Sequence, residues 1–173
     1  MWPRAPHGFE ALLSAIVSQQ ISVAAARGVW AKLEAAGATQ AAQVLALSEA
    51  ELREIGLSRQ KASYAKALAE HQIDFVALRG LQAEAVVREL TAVKGIGVWT
   101  AEIYAMFSLG RADVFAAGDL ALQEAARVLF DLPARPTDKE LRKMAEAWSP
   151  WRAVAARLLF TYYHVIKDRE GLS

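Results

Sequence analysis

LTAVKGIGVWTAEIYAMFSLGRADVFAAGDLAL, residues 90–122, decides how the rest of the chain is read. Lys94 leads into Gly95-Ile96-Gly97, Trp99 follows the turn, and Asp119 stands twenty residues beyond Trp99. Glycine accepts positive φ and lets another surface approach the backbone. A helix starting just after the pair presents free N–H groups and the positive end of its dipole at the same point, which suits a phosphate oxygen. Taken alone the pair is weak, because a compact helix–helix turn needs glycine for geometry as well. Asp119 also has two readings. Ahead of a helix an aspartate is by default an N-cap. The second reading rests on its small, apolar surroundings, Ala116, Ala117, Gly118 and Leu120: a partly desolvated carboxylate facing a cleft would stabilise a cationic transition state or orient an attacking water. Trp99 reads as core first and as pocket wall second.

Working outward, the pattern is helical on both sides. Towards the N-terminus, after an irregular start over Trp2-Pro3 to Pro6, Phe9, Leu12, Leu13, Ile16, Val17 and Ile21 recur at helical spacing, and the end of that helix carries the polar run Ser18-Gln19-Gln20-Ile21-Ser22. Helix resumes over Ala24–Ala36 with Trp30 and Leu33 inward, closed by Gly37. A short helix is expected around Ala41–Leu47. Ser48 with Glu51 forms a capping box, Ser58 caps the next helix, and a further helix covers Glu84–Leu90. Phe75–Leu81 reads as loop with at most one turn. On the far side a helix runs from Asp119 to Phe130, Thr137 with Glu140 forms a second capping box, and Ser149-Pro150 reads as a serine cap before a proline that opens the last helix. No stretch alternates as a strand, so the class is all-α.

Composition narrows the chemistry. The 173 residues are 54% hydrophobic, enough to bury a core without staples. There is no cysteine, which removes disulfides, thiol nucleophiles, thiolate zinc sites and iron–sulfur clusters together. His7, His71 and His164 make no metal-binding spacing. No segment resembles a signal peptide or an apolar run long enough to span a bilayer, so the expected compartment is the cytoplasm and no membrane partner is expected. The formal net charge is +1, so a nucleic-acid partner would be held by few, local contacts.

The combination is more specific than its parts. Gly95-Ile96-Gly97-Val98-Trp99-Thr100-Ala101, followed by Asp113-Val114-Phe115 and Gly118-Asp119-Leu120, resembles the helix-hairpin-helix superfamily of DNA glycosylases, and within it the 3-methyladenine DNA glycosylase II family of alkylation repair. Ile16 to Ser22, Gly56-Leu57-Ser58 with Lys61-Ala62, and Trp148-Ser149-Pro150-Trp151-Arg152 are similar to that family's other blocks in their order. The likeness covers nearly the whole chain.

The resemblance implies a two-lobed helical fold over residues 1–173, with one lobe at about 24–109, the other formed by 1–23 and 110–173, and the active-site cleft between them. It implies Asp119 as the catalytic aspartate. Lys94, Gly95 and Gly97, with Thr100 close by, would grip the DNA backbone. A sodium or potassium ion would be held at the hairpin by the carbonyls of Thr91, Val93 and Ile96, with no other cofactor. Gln19 and Gln20 would enter the duplex where the target base leaves; read without the family, they are an interhelical hydrogen-bond pair. Trp99, with Phe160 and Tyr162 as further walls, would line the base pocket beside Leu120. Superfamily members that also cut the strand carry a lysine at position 99, so Trp99 implies a monofunctional enzyme acting through water. The implied partner is double-stranded DNA containing alkylated bases, and the implied state is a monomer. The chain departs from the family in two places: Ala116-Ala117 stand where members often have proline, and Leu120 where some have tyrosine. The alternatives are a glycosylase for mismatched or oxidised bases, which would prefer hydrogen-bonding groups to an aromatic wall, and a non-catalytic helix-hairpin-helix module, which needs no aspartate in a pocket.

Overall fold

The computed structural model describes residues 8–169 and is helical throughout; among the described residues there is no strand. The irregular start expected over Trp2 to Pro6 lies outside them. In chain order the helices are α1 (Phe9–Ser18), α2 (Val23–Ala35), α3 (Ala41–Ala46), α4 (Glu49–Ile55), α5 (Arg59–Glu70), α6 (Phe75–Leu78), α7 (Ala83–Thr91), α8 (Val98–Ile103), α9 (Leu120–Leu129), α10 (Asp138–Ala145) and α11 (Arg152–Arg169). A π-turn at Tyr104–Ser108 prolongs α8, and a 3₁₀ turn at Glu146–Trp148 prolongs α10.

Local chemistry explains most of the boundaries. Ser48 and Thr137 each accept the backbone N–H of the residue three positions on, and Glu51 and Glu140 each return a bond to the cap residue, so both expected capping boxes form. Ser22 and Ser58 cap α2 and α5 in the simpler way. At the end of α2 the Ala38 N–H bonds to Leu33 C=O at 2.8 Å and the Gly37 N–H to Glu34 C=O at 2.9 Å, with Gly37 at φ 67°, a Schellman ending.

Two expectations need correction, and a third gains its cause. The first helix stops at Ser18 and does not reach Ile21: Gln20 adopts φ 56°, Ser22 caps the following helix, and Ile21 is left 40% exposed. The one turn expected within Phe75–Leu81 forms at Phe75–Leu78, because Asp74 Oδ1 accepts the N–H groups of Val76 and Ala77, a cap the apolar pattern does not reveal. Ser149 does not cap the last helix. Its hydroxyl donates to Asp113 Oδ2 at 2.9 Å, and α11 starts at Arg152.

The packing forms two groups. α1 lies against α5 and α2, α3 and α4 pack on α5, and α7 packs on α8. The expectation that the first helix joins the C-terminal helices is therefore wrong for α1. Its buried face (Phe9, Leu12, Leu13, Ile16, Val17) meets the alanine-rich face of α5, where Ala62, Ala65 and Ala69 let the helices approach closely. The second group is α9 with α11 and α10, again close-packed through Ala125, Ala126, Ala153 and Ala156. The rod formed by α8 and its π-turn is the joint between them. Phe107 of the π-turn lies 6.0 Å from Phe160 of α11 between ring centroids, and the Arg157 guanidinium covers Phe107.

Candidate active site

Both glycines of the turn between α7 and α8 can be accounted for, differently. Gly95 has φ 95°, and a β-carbon there would lie 2.7 Å from Tyr64 Cβ and closer still to its ring. Gly95 thus serves the fold: it lets the turn rest on Tyr64 of α5. Gly97 has an ordinary φ of −86°, and a β-carbon added to it would meet nothing within 4 Å. Nothing among the described residues requires glycine at 97. What a side chain there would obstruct is approach from outside, which is where a phosphate would come from.

The turn forms one wall of a groove of about 400 Å³, lined also by Gln19, Gln20, Ser58, Gln60, Lys61 and Tyr64. Two bonds fix the segment after α1 against it. Gln19 Nε2 donates to Gly95 C=O at 3.0 Å, and Lys61 Nζ donates to Val17 C=O at 2.7 Å; burial pushes the Lys61 ammonium pKa down. Gln19 is thus tied to the hairpin, while Gln20, in the left-handed region, is exposed. Lys94 is exposed, and its Nζ donates to Ser63 Oγ at 3.3 Å. Thr100 is 5% exposed and sits under the turn, so its side chain belongs to the interior and not to the surface of the hairpin.

Asp119 lies at the start of α9, directly across from α8. Its Oδ1 accepts the N–H groups of Ala121 at 2.9 Å and Leu122 at 3.2 Å, so it is an N-cap. Its Oδ2 accepts Trp99 Nε1 at 2.8 Å. The cap reading is satisfied by Oδ1, and Oδ2 faces α8 through Trp99. The residues before it are held as firmly: Ala116 and Ala117 are fully buried, and Gln123 Nε2 donates to Ala117 C=O at 2.9 Å. Trp99 is not core. It is 45% exposed, and Leu120, next to the aspartate, is 62% exposed, so a carboxylate and two apolar side chains reach the surface at the seam of the two helix groups. Asp119 and Trp99 do not line the groove beside the hairpin. Phe160 and Tyr162 are half-buried on α11, and the ring partner of Phe160 is Phe107, eight residues along from Trp99. The structure brings Trp99 and Asp119 together, with Leu120 next to the aspartate, and packs Phe160 on Phe107.

One feature near this seam has no counterpart in the sequence reading. Glu102, one turn after Trp99, is 6% exposed. Its Oε1 accepts Arg142 Nη1 of α10 at 2.7 Å, while its Oε2 is buried with no partner among the described residues. Burial pushes this carboxyl pKa up, against the pull of Arg142. The sequence signals were a glutamate three residues after the tryptophan, and Asp138 and Arg142 at i,i+4 spacing; neither points to the other.

Among the described residues no cluster of His, Cys, Asp and Glu is placed to hold a metal ion. The carbonyls of Thr91, Val93 and Ile96 are neutral, hard oxygens on one short turn, a donor set that suits a monovalent cation and not a transition metal. The Val93 carbonyl also accepts the Ile96 N–H at 3.1 Å, which leaves it a second lone pair.

The all-helical fold thus holds a glycine turn between α7 and α8 and, across the seam, a carboxylate bonded to Trp99 of α8, features that fit the helix-hairpin-helix class of DNA repair proteins. The chain belongs to the HhH-GPD superfamily of base excision DNA repair proteins, whose pattern matches residues 13–150. A DNA-3-methyladenine glycosylase 1 of Schizosaccharomyces pombe is 32% identical over 161 residues, 88% of this chain and 71% of that protein. An alkylbase DNA glycosidase-like protein of the same yeast is 29% identical, covering 88% of this chain and 76% of its own length. The crystal structure of a DNA-3-methyladenine glycosidase from Bacillus halodurans superposes with a TM-score of 0.87 at 36% identity, covering 97% of this chain and 81% of that one. A Schizosaccharomyces pombe 3-methyladenine DNA glycosylase in complex with abasic DNA gives 0.76 at 29% identity, over 91% and 83% of the two chains. Solved 8-oxoguanine glycosylases share the fold at 18–19% identity.

Proposed function

We propose that this protein is a monofunctional DNA glycosylase that flips alkylated purines of the 3-methyladenine type out of double-stranded DNA and hydrolyses their N-glycosidic bond. The observation that carries the reading is the 2.8 Å bond between Trp99 Nε1 and Asp119 Oδ2. It puts an aromatic face and a carboxylate at one opening, with an indole where a lysine nucleophile would have to stand. The names of the relatives at about 30% identity support the substrate class.

The chemistry follows from that pair. Extruding a nucleotide costs a few kcal/mol, less when the base is damaged. An alkylated purine carries positive charge, so it leaves easily and is attracted to the exposed face of Trp99. As the bond to the sugar breaks, oxocarbenium character develops, and the Asp119 carboxylate stabilises it and orients the attacking water. The cap bonds from Ala121 and Leu122 and the indole bond hold that carboxylate in place, so it need not reorganise during the reaction. No separate general acid is required for a cationic leaving group. In this reading Gly97 admits a phosphate to the start of α8, Gln20 probes the duplex, and Gln19 keeps the probe in register with the hairpin. Thr91, Val93 and Ile96 would hold a sodium or potassium ion there, which would offset phosphate charge. The protein acts as a monomer on DNA in the cytoplasm or nucleoid; no helix among the described residues is long and apolar enough to cross a membrane.

The test is a duplex carrying one alkylated purine, incubated with the protein and then divided. We expect strand scission only in the portion heated with alkali, which reports abasic sites. Scission without alkali overturns the monofunctional assignment, and none in either portion overturns the glycosylase reading.

A further inference from the structure

The bond between Trp99 and Asp119 belongs to a larger closed ring of contacts. From Trp99 the ring runs along one turn of α8 to Glu102, which shares its helix face. From Glu102 Oε1 it passes to Arg142 Nη1 at 2.7 Å. The same guanidinium reaches Asp138 through Nε at 3.2 Å and Nη2 at 3.5 Å. Asp138 in turn lies against Gly118, where an added β-carbon would be 3.1 Å from its Oδ2. Gly118 precedes Asp119, and Asp119 closes the ring on Trp99.

We propose that Arg142 and Glu102 are positioning residues for Asp119, with Arg142 bracing at one end the helix that carries Trp99 and at the other the loop that carries the aspartate. The inference rests on the glycosylase reading for its consequence and on the geometry alone for its existence. Helix packing by itself gives no reason for the arrangement. Glu102 is buried with one oxygen unpartnered, which costs stability, and apolar residues join such helices at least as well. A planar guanidinium can hold two carboxylates at fixed angles, whereas an ammonium is a point charge that cannot reproduce the fork. Among the described residues the hydrogen bonds of the Arg142 and Glu102 side chains run to each other and to Asp138, not to Trp99 or Asp119, so their effect passes through the orientation of the pair.

The experiment uses Arg142→Lys, which keeps the charge, and Glu102→Gln, which keeps an acceptor for Arg142, so that each variant perturbs the ring mildly. Single-turnover base release, affinity for abasic-site duplex and thermal melting are measured for each. The Trp99 indole N–H resonance, assigned through Trp99→Phe, is followed by nitrogen-15 NMR. Both variants are expected to release base about tenfold more slowly, since small misplacements of reacting groups have effects of this order or larger. Their DNA affinity should stay within about threefold, the rates being read well below the melting transition. The indole resonance should move towards its position in Asp119→Asn. Rates within twofold of wild type with an unmoved resonance overturn the proposal, and so does a rate loss matched by an equal loss of folded protein or of DNA affinity. If wild type releases no base, the glycosylase reading fails, and the resonance alone decides whether the brace exists.

Discussion

Asp119 gives one carboxylate oxygen to its own helix and the other to a neighbouring one. An aspartate that caps a helix normally spends its carboxylate on that helix. Here the cap uses Oδ1 alone, and Oδ2 is left to meet Trp99. Sequence alone does not show what the second oxygen meets, because its partner Trp99 lies on another helix. Trp99→Phe separates the indole's two roles: it keeps an aromatic face and removes the N–H. A hydrogen bond to a charged group contributes about 1.5–3 kcal/mol, so base release should slow about tenfold or more while affinity for abasic DNA persists. Unchanged release kinetics would show that only the face matters.

At the level of elements, the glycine hairpin divides into a part that folds the chain and a part that faces outward. Gly95→Ala forces a β-carbon onto Tyr64 at a positive φ and should lower stability by about 2 kcal/mol or more, read by thermal melting. Gly97→Ala should leave the melt nearly unchanged and weaken DNA binding instead. Equal melting losses in both variants would contradict this division. The link between α8 and α9 is fastened separately. Arg152 Nε donates to Asp113 Oδ1 at 2.6 Å, and with help from Ser149 it holds the Asp113 carboxyl at a pKa of about 2. Because the folded-state value lies below the ordinary one, this contribution to stability is present above about pH 4 and is lost as the pH falls towards 2. Asp113→Asn should therefore lower the melting temperature at neutral pH and flatten its fall between pH 4 and pH 2. A parallel fall in both proteins would rule the ion pair out as the cause. What was legible at this scale was what is local: both capping boxes sit where Ser48, Glu51, Thr137 and Glu140 place them. What was not legible is what is bonded at a distance. Ser149 reads as a cap until Asp113, thirty-six residues away, claims its hydroxyl.

For the whole molecule, the all-α class and the order of helices follow from apolar spacing, but the partition of those helices does not. Periodicity says which face of α1 is buried and nothing about which neighbour buries it, so α1 falls in with α2 and α5 and not with the C-terminal helices. The position of the site is the consequence of that partition. α8 ends one group, α9 begins the other, and Trp99 and Asp119 meet where they face each other. Gly95, Gly97, Trp99 and Asp119 were visible as candidates through the family resemblance. Arg142 and Glu102 were not, because nothing in the spacing of α8 and α10 tells that they touch. The pair at the seam is the centre of the account, and Asp119→Asn tests it most directly. Asparagine caps a helix as well as aspartate does, so the fold is kept while the negative charge is lost. Free methylated bases released from methylated duplex DNA should fall by about a hundredfold or more relative to wild type, with binding to abasic DNA retained. Equal release by the two proteins would contradict the account.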